Sequence, residues 1–279
     1  MRHFFKLSFF ITILLLLFHI SNAQNTNRTV SVKTHSQTTE KGFGNPQSIS
    51  GVTDILENNE AYSALKDLIE NHHITMVYAD NSFLGNANLK RGDFIVSYNS
   101  ALDHIRDAIN NAGLDTSLIN TYDRNKAYIT SVTQVKDLKP GSVYYVAVQS
   151  LLENWGINAP FTKAALLNAN SLFYENELYD ILRVTLGFEY GYGEPGKVAV
   201  KRYRFAIILD NAINFKLKQI EILASEKKAK DNAEKARVDS IVKQIEQSRR
   251  DSISKEIEMR KAEAERKETE ARKKLEDNK

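Results

Sequence analysis

The sequence predicts an all-α protein: a head of short paired helices followed by one long charged helix. Three observations predict it. Tyr62, Leu65, Leu68 and Ile69 fall at helical spacing, with Ala61 and Ala64 beside them, so one apolar stripe runs along an otherwise polar segment. The pattern then recurs: Ala147 stands ten residues after Asp137 as Ala64 does after Asp54, Leu151 answers Leu68, and Ile157 answers Ile74. From about Glu226 onward, Lys, Arg, Asp and Glu exceed half the residues, and Pro and Gly are absent, as continuous helix requires.

The chain has 279 residues, 42% hydrophobic, enough for one moderate core plus something extended. Its formal charge of +3 lends no support to nucleic-acid binding. Cysteine is absent, which excludes disulfides, zinc-thiolate centres and thiol catalysis. There is no nucleophile elbow, no HExxH and no phosphate loop, so neither an enzyme nor a cofactor is expected.

Residues 1–23 read as a secretory signal peptide. Arg2 and Lys6 precede an apolar run from Leu7 to Ile20, and Ser21-Asn22-Ala23 is a small-residue cleavage site. No later segment is apolar and long enough to cross a bilayer, so an exported protein of the periplasm or cell envelope is expected. Residues 24–51, rich in Asn, Thr, Ser and Gln, are expected to form a disordered leader.

Residues 52–110 form the first repeat. Asp54 precedes the striped helix, where a carboxylate accepts backbone N–H groups. Asp80-Asn81-Ser82-Phe83-Leu84-Gly85-Asn86 is a turn, and Leu89-Lys90-Arg91-Gly92-Asp93-Phe94 opens a second helix through Ala101, Ile105 and Ile109. Residues 111–135 are a connection. Residues 136–170 form the second repeat, opening on Asp137, with a second helix expected to start near Thr162-Lys163. Residues 171–217 form the third, with a first helix expected through Leu178, Ile181, Leu182 and Leu186; in it Val200-Lys201-Arg202-Tyr203-Arg204-Phe205 echoes Leu89 to Phe94, and Ala212 follows Phe205 as Ala101 follows Phe94.

Residues 218–279 are expected to form the charged helix. Glu256/Arg260, Glu263/Lys267, Glu268/Arg272 and Glu270/Lys274 place acid four residues before base, the favourable order. Val238, Ile241, Val242 and Ile245 make a short apolar seam, and Val242, Ile253, Ala264 and Leu275 recur every eleven residues. A coiled coil and a solitary charged helix both fit this pattern.

The first repeat resembles an S-layer homology (SLH) module, through Tyr78-Ala79-Asp80-Asn81-Ser82-Phe83 at its turn and Lys90-Arg91-Gly92-Asp93-Phe94 at its second helix start. Glu60 stands where the family carries Trp, a departure from the pattern. The resemblance spans roughly residues 52–217 and implies three SLH-like helix-pair modules packed as a pseudo-threefold head. It also implies noncovalent attachment to cell-wall polysaccharide or peptidoglycan. Carried over by position, the glycan-binding residues are Arg91, Lys163 and Arg202 at second-helix starts and Asp54 and Asp137 at first-helix starts. The expected partners are the wall polymer and, through the C-terminal helix, a second copy of the chain; nucleic acid is not expected. The alternative is a structural envelope protein whose head binds a protein. Trp155, Tyr190 and Tyr192 are expected in core or turn packing before sugar stacking. His72-His73, at the end of the first helix, is expected to satisfy terminal carbonyls rather than bind metal.

Overall fold

The computed structural model describes residues 42–122, 129–189 and 196–276; residues 1–23, expected as a signal peptide, residues 24–41 of the expected leader, Tyr190, Tyr192 and the last three residues lie outside them. It is mostly helical, with a long C-terminal helix. The helices are α1 (Tyr62–Glu70), α2 (Arg91–Asn111), α3 (Tyr145–Gln149), α4 (Glu175–Leu186) and α5 (Arg202–Glu276). A two-residue strand β1 (Phe43–Gly44) pairs antiparallel with β2 (Val77–Tyr78). Residues 42–51, expected in the disordered leader, are thus partly ordered: Ile49 is buried, and Ile49–Gly51 form a 3-10 turn capped by Ser48.

Helix α1 buries the stripe read from the sequence, with Ala64, Leu65, Leu68 and Ile69 inside. Eighty-three residues later α3, continued by a π-helical turn over Ser150–Asn154, buries Ala147, Val148, Leu151 and Leu152 at the matching positions. The offset extends to polar detail. Glu70 accepts from Ser48 Oγ and the Ile49 N–H, and Glu153 accepts from Ser131 Oγ and the Val132 N–H. After each helix one residue takes a left-handed conformation, His73 (φ 54°) and Gly156 (φ 60°), before Ile74 or Ile157 closes a backbone bond onto Leu68 or Leu151.

No helix opens near Lys163. Residues 158–171 are loop and turns, with left-handed Ala165 and Asn168 matching left-handed Asn81 and Leu84 of the first repeat. The Asp137 carboxylate draws the Leu167 and Asn168 N–H groups to itself, at 2.7 Å each, and so holds them out of a helix. The helix that answers α2 is α4. The stretch expected as a first helix of the third repeat therefore takes the place of a second helix, and α5 follows it after only fifteen residues.

Three extended segments lead into α2, α4 and α5, and their backbones close a ring. Leu89 N–H donates to Val200 (2.7 Å), Val200 N–H to Phe173 (3.0 Å), and Phe173 N–H to Leu89 (3.0 Å). All three side chains are buried, as are Phe94, Leu178 and Phe205 five residues on. Each helix start then uses its first N–H groups, which no helix can satisfy internally, on the next segment: Arg91 on Ser171, Glu175 on Val198, Arg202 on Ala87. Phe94 stacks on Phe173 at 4.1 Å between centroids and on Tyr98 at 5.1 Å.

Helix α5 crosses the boundary expected at residues 217 and 218 without a break. Its first turns bury Phe205, Leu209, Ala212 and Ile213 in the head, and every residue from 226 to 271 is exposed. At about 1.5 Å per residue the 75-residue helix is about 110 Å long.

Candidate functional site

The two arginines of the resemblance sit inside the head. Arg202, 2% exposed, donates through Nε to Phe83 O (2.7 Å), through Nη2 to Met76 O (2.5 Å) and through Nη1 to Asp93 (2.9 Å). Its guanidinium lies over the Tyr78 ring at 4.4 Å. Arg91, 9% exposed, grips both oxygens of Glu177 at 3.1 and 3.2 Å and donates to Pro160 O and Ser171 Oγ. In both arginines all three guanidinium nitrogens donate to protein groups.

A third ion pair completes the set. Glu175 occupies on α4 the position of Arg91 on α2 and Arg202 on α5, and it meets Arg204 Nε at 2.7 Å. Each pair links the first helical residue of one helix to the third of another: Arg91 to Glu177, Arg202 to Asp93, and, with charges exchanged, Glu175 to Arg204. Sequence reasoning missed Glu175, Glu177 and Asp93 as partners. Aligning Phe173 with Leu89 would have found them, because that register brings the two helix starts into coincidence.

Asp54 and Asp137 do align, and they perform the same task. Asp54 accepts from the Phe83 and Leu84 N–H groups at 2.6 and 2.7 Å, as Asp137 does from Leu167 and Asn168. Each ties the segment before a first helix to the loop before a second. Lys163 is exposed on a turn between Thr162 and Leu166, remote in role from the arginines. The outward positions of the backbone ring are Lys90, Tyr174 and Lys201, all exposed and all one residue after the buried ring members. Trp155 is buried, with the Arg106 guanidinium over its ring at 5.4 Å.

A separate cluster forms where α1, α2 and α5 meet. His72, which holds the position of Trp155 in the repeat, does not turn its ring to helix carbonyls. Its Nδ1 lies 3.1 Å from His104 Nε2, and its Nε2 lies 3.3 Å from Asn214 Oδ1, 3.3 Å from Asp67 Oδ2 and 3.9 Å from Asp210 Oδ1. Asn214 Nδ2 donates to both carboxylates, at 3.1 and 3.2 Å. Burial, then the neighbouring Asp67 carboxylate, pushes the Asp210 carboxyl up to about 7. Burial, then His72, pulls His104 below the usual imidazole value. Among the described residues, Asp67, His72 and Asp210 are the group whose donor atoms converge as metal ligands, all within 4.8 Å of one another.

A cavity of about 360 Å³ lies between Leu114, Leu118 and Leu223, flanked by Lys227 and Lys230 of α5. None of the residues carried over from the resemblance lines it. No protein-family model, curated protein or solved structure gives a significant match to the chain.

Proposed function

We propose that the chain is an exported, non-catalytic envelope tether, in which a degenerate SLH-like head attaches to cell-wall polysaccharide or peptidoglycan and the C-terminal helix acts as a rigid spacer. The observation that carries this reading is the continuity of α5, which begins in the core of the head and runs unbroken into some fifty exposed residues. A helix anchored in this way transmits the position of the head to whatever meets its far end.

The SLH-like, pseudo-threefold arrangement belongs to the same proposal. It is supported by the ring of Leu89, Phe173 and Val200 and by the three linked ion pairs. In this form α1 with α2 and α3 with α4 are successive helices of one repeat in sequence only, α5 stands alone as the second helix of the third, and the packing runs from α1, α2 and α4 onto α5 and from α2 onto α3. Because Arg91 and Arg202 are held inside, the glycan surface in this reading is the exposed set Lys90, Tyr174 and Lys201, two cations beside an aromatic face.

Burial of Arg91 and Arg202 favours a second reading, in which the head of a structural envelope protein binds a protein partner. Sedimentation with purified wall sacculi separates the two. Retention of the wild type that falls in a Lys90→Glu/Lys201→Glu variant supports glycan attachment. No retention of the wild type overturns it and leaves the protein-binding head.

The apolar positions Val238, Ile241, Val242, Ile245, Ile253 and Ile257 stay exposed on the isolated helix. Covering that seam with a second copy would remove it from water and pair the heads, raising their apparent affinity for a repetitive polymer.

A further inference from the structure

Five side chains from three helices converge at the base of the head: Asp67 on α1, His72 just after it, His104 on α2, and Asp210 and Asn214 one turn apart on α5. We propose that Asp67, His72 and Asp210, completed by Asn214, bind a divalent transition-metal ion of the Zn²⁺ class and thereby clip α1 to α5. This site is independent of the attachment reading and shares no residue with it.

Spacing is the first argument. Ligands at about 2.0–2.1 Å from a tetrahedral Zn²⁺ lie about 3.3–3.4 Å apart. His72 Nε2 stands 3.3 Å from Asp67 Oδ2, the tetrahedral spacing, and 3.9 Å from Asp210 Oδ1, and the three donor atoms lie within 4.8 Å of one another, so one ion reaches all three after side-chain adjustment. A half-turn of the Asn214 amide puts its carbonyl oxygen where Nδ2 now bridges the two carboxylates.

The support of the imidazole is the second. His72 is 7% exposed and its Nδ1 meets His104 Nε2. When Nδ1–H donates to His104, the Nε2 lone pair is left for the cluster, the orientation that an outer-shell partner imposes on a metal-binding histidine.

Charge is the third. Arg202–Asp93, Arg91–Glu177 and Arg204–Glu175 each set a carboxylate against a guanidinium, whereas among the described residues no Lys or Arg forms an ion pair with Asp67 or Asp210. Two carboxylates facing one imidazole and one amide take a divalent cation to neutrality. Mixed nitrogen and oxygen donors without thiolate select Zn²⁺, Co²⁺ or Ni²⁺ over Mg²⁺ and Ca²⁺, which prefer oxygen alone.

The test uses the full chain, stripped with chelator and titrated with Zn²⁺ and with Mg²⁺ by calorimetry and thermal melting. One equivalent of Zn²⁺ per chain is expected, with a rise in Tm of roughly 5 °C at a hundredfold excess over the dissociation constant, and no response to Mg²⁺. Asp210→Asn and His72→Gln each weaken Zn²⁺ at least tenfold. His72→Gln is in the packed interior and disturbs folding; Asp210→Asn removes one of two facing carboxylates, so it folds and decides the outcome. Co²⁺ in the wild type should give the intense visible bands of a four- or five-coordinate site, lost in Asp210→Asn. Sub-stoichiometric binding, or Asp210→Asn binding as tightly as the wild type, overturns the proposal.

Discussion

Glu175 and Arg202 occupy one and the same position of a repeated helix start, yet carry opposite charge, and each finds its opposite two residues into a neighbouring helix. The arrangement conserves the attraction and not the residue. It explains why a search for a basic residue in every module fails: α4 supplies the acid and α5 the base.

The three pairs should differ in energy because they differ in exposure. Arg202 and Asp93 are almost wholly buried, so Asp93→Ala leaves an uncompensated guanidinium and should cost about 3–5 kcal/mol. Arg204 is 43% exposed, and Arg204→Ala should cost at most about 1 kcal/mol. Urea unfolding of both variants checks the ratio; equal losses would contradict the account.

Exchanging the charges of the outer pair is a sharper test. Glu175→Arg should weaken the fold by setting two cations together, and adding Arg204→Glu should restore stability to within about 1 kcal/mol of the wild type. A double variant no better than the worse single would show that packing, not charge, governs this contact.

His73 and Gly156 share a left-handed backbone, which costs a residue with a β-carbon about 1–2 kcal/mol. At Gly156 a β-carbon would also come within 3.2 Å of the Thr121 methyl. Gly156→Ala should therefore destabilise by about 1–2 kcal/mol, whereas His73→Gly relieves the backbone of an exposed residue outside the His72 cluster and should stabilise by up to about 1 kcal/mol. Thermal melting of the two variants checks this: a His73→Gly loss as large as that of Gly156→Ala would contradict it.

Glu70 and Glu153 give the pH dependence. Glu70 is held below the usual carboxylate range first by the Ile49 N–H and then by Ser48, and Glu153 first by Gln149 and then by Ser131 and the Val132 N–H. Their folded values lie below the unfolded ones, so their contribution is present above the unfolded carboxylate value, near 4.3, and lost as pH falls through the folded value. Glu70→Gln/Glu153→Gln should flatten stability against pH below about 4.5 and leave its slope near pH 7 unchanged; an unaltered acid limb would show the two contacts to be idle.

Removing residues 238–279 should leave the Tm of the head within about 2 °C, because none of the removed residues whose burial is described is buried. The radius of gyration by small-angle scattering should fall sharply. A large loss of stability would mean that the rod is held against the head.

By itself the sequence determined the helical class, the α1 stripe, the 83-residue repeat from Asp54 to Ile157 and the charged helix, because each is local: periodicity, loop-forming residues and composition act within a few turns of chain. It also paired Asp54 with Asp137, whose carboxylates take equivalent N–H groups. What it left open was long-range. Lys163 resembled a helix start, but the two N–H groups claimed by Asp137 decide otherwise, and α4 assumes that place through a ring closed by Leu89 and Val200, distant in sequence. Likewise His72, His104 and Asp210 stand far apart along the chain, and only the packing of α1 and α2 on α5 gathers them, since side chains meet through shared buried surface and not through spacing in the sequence.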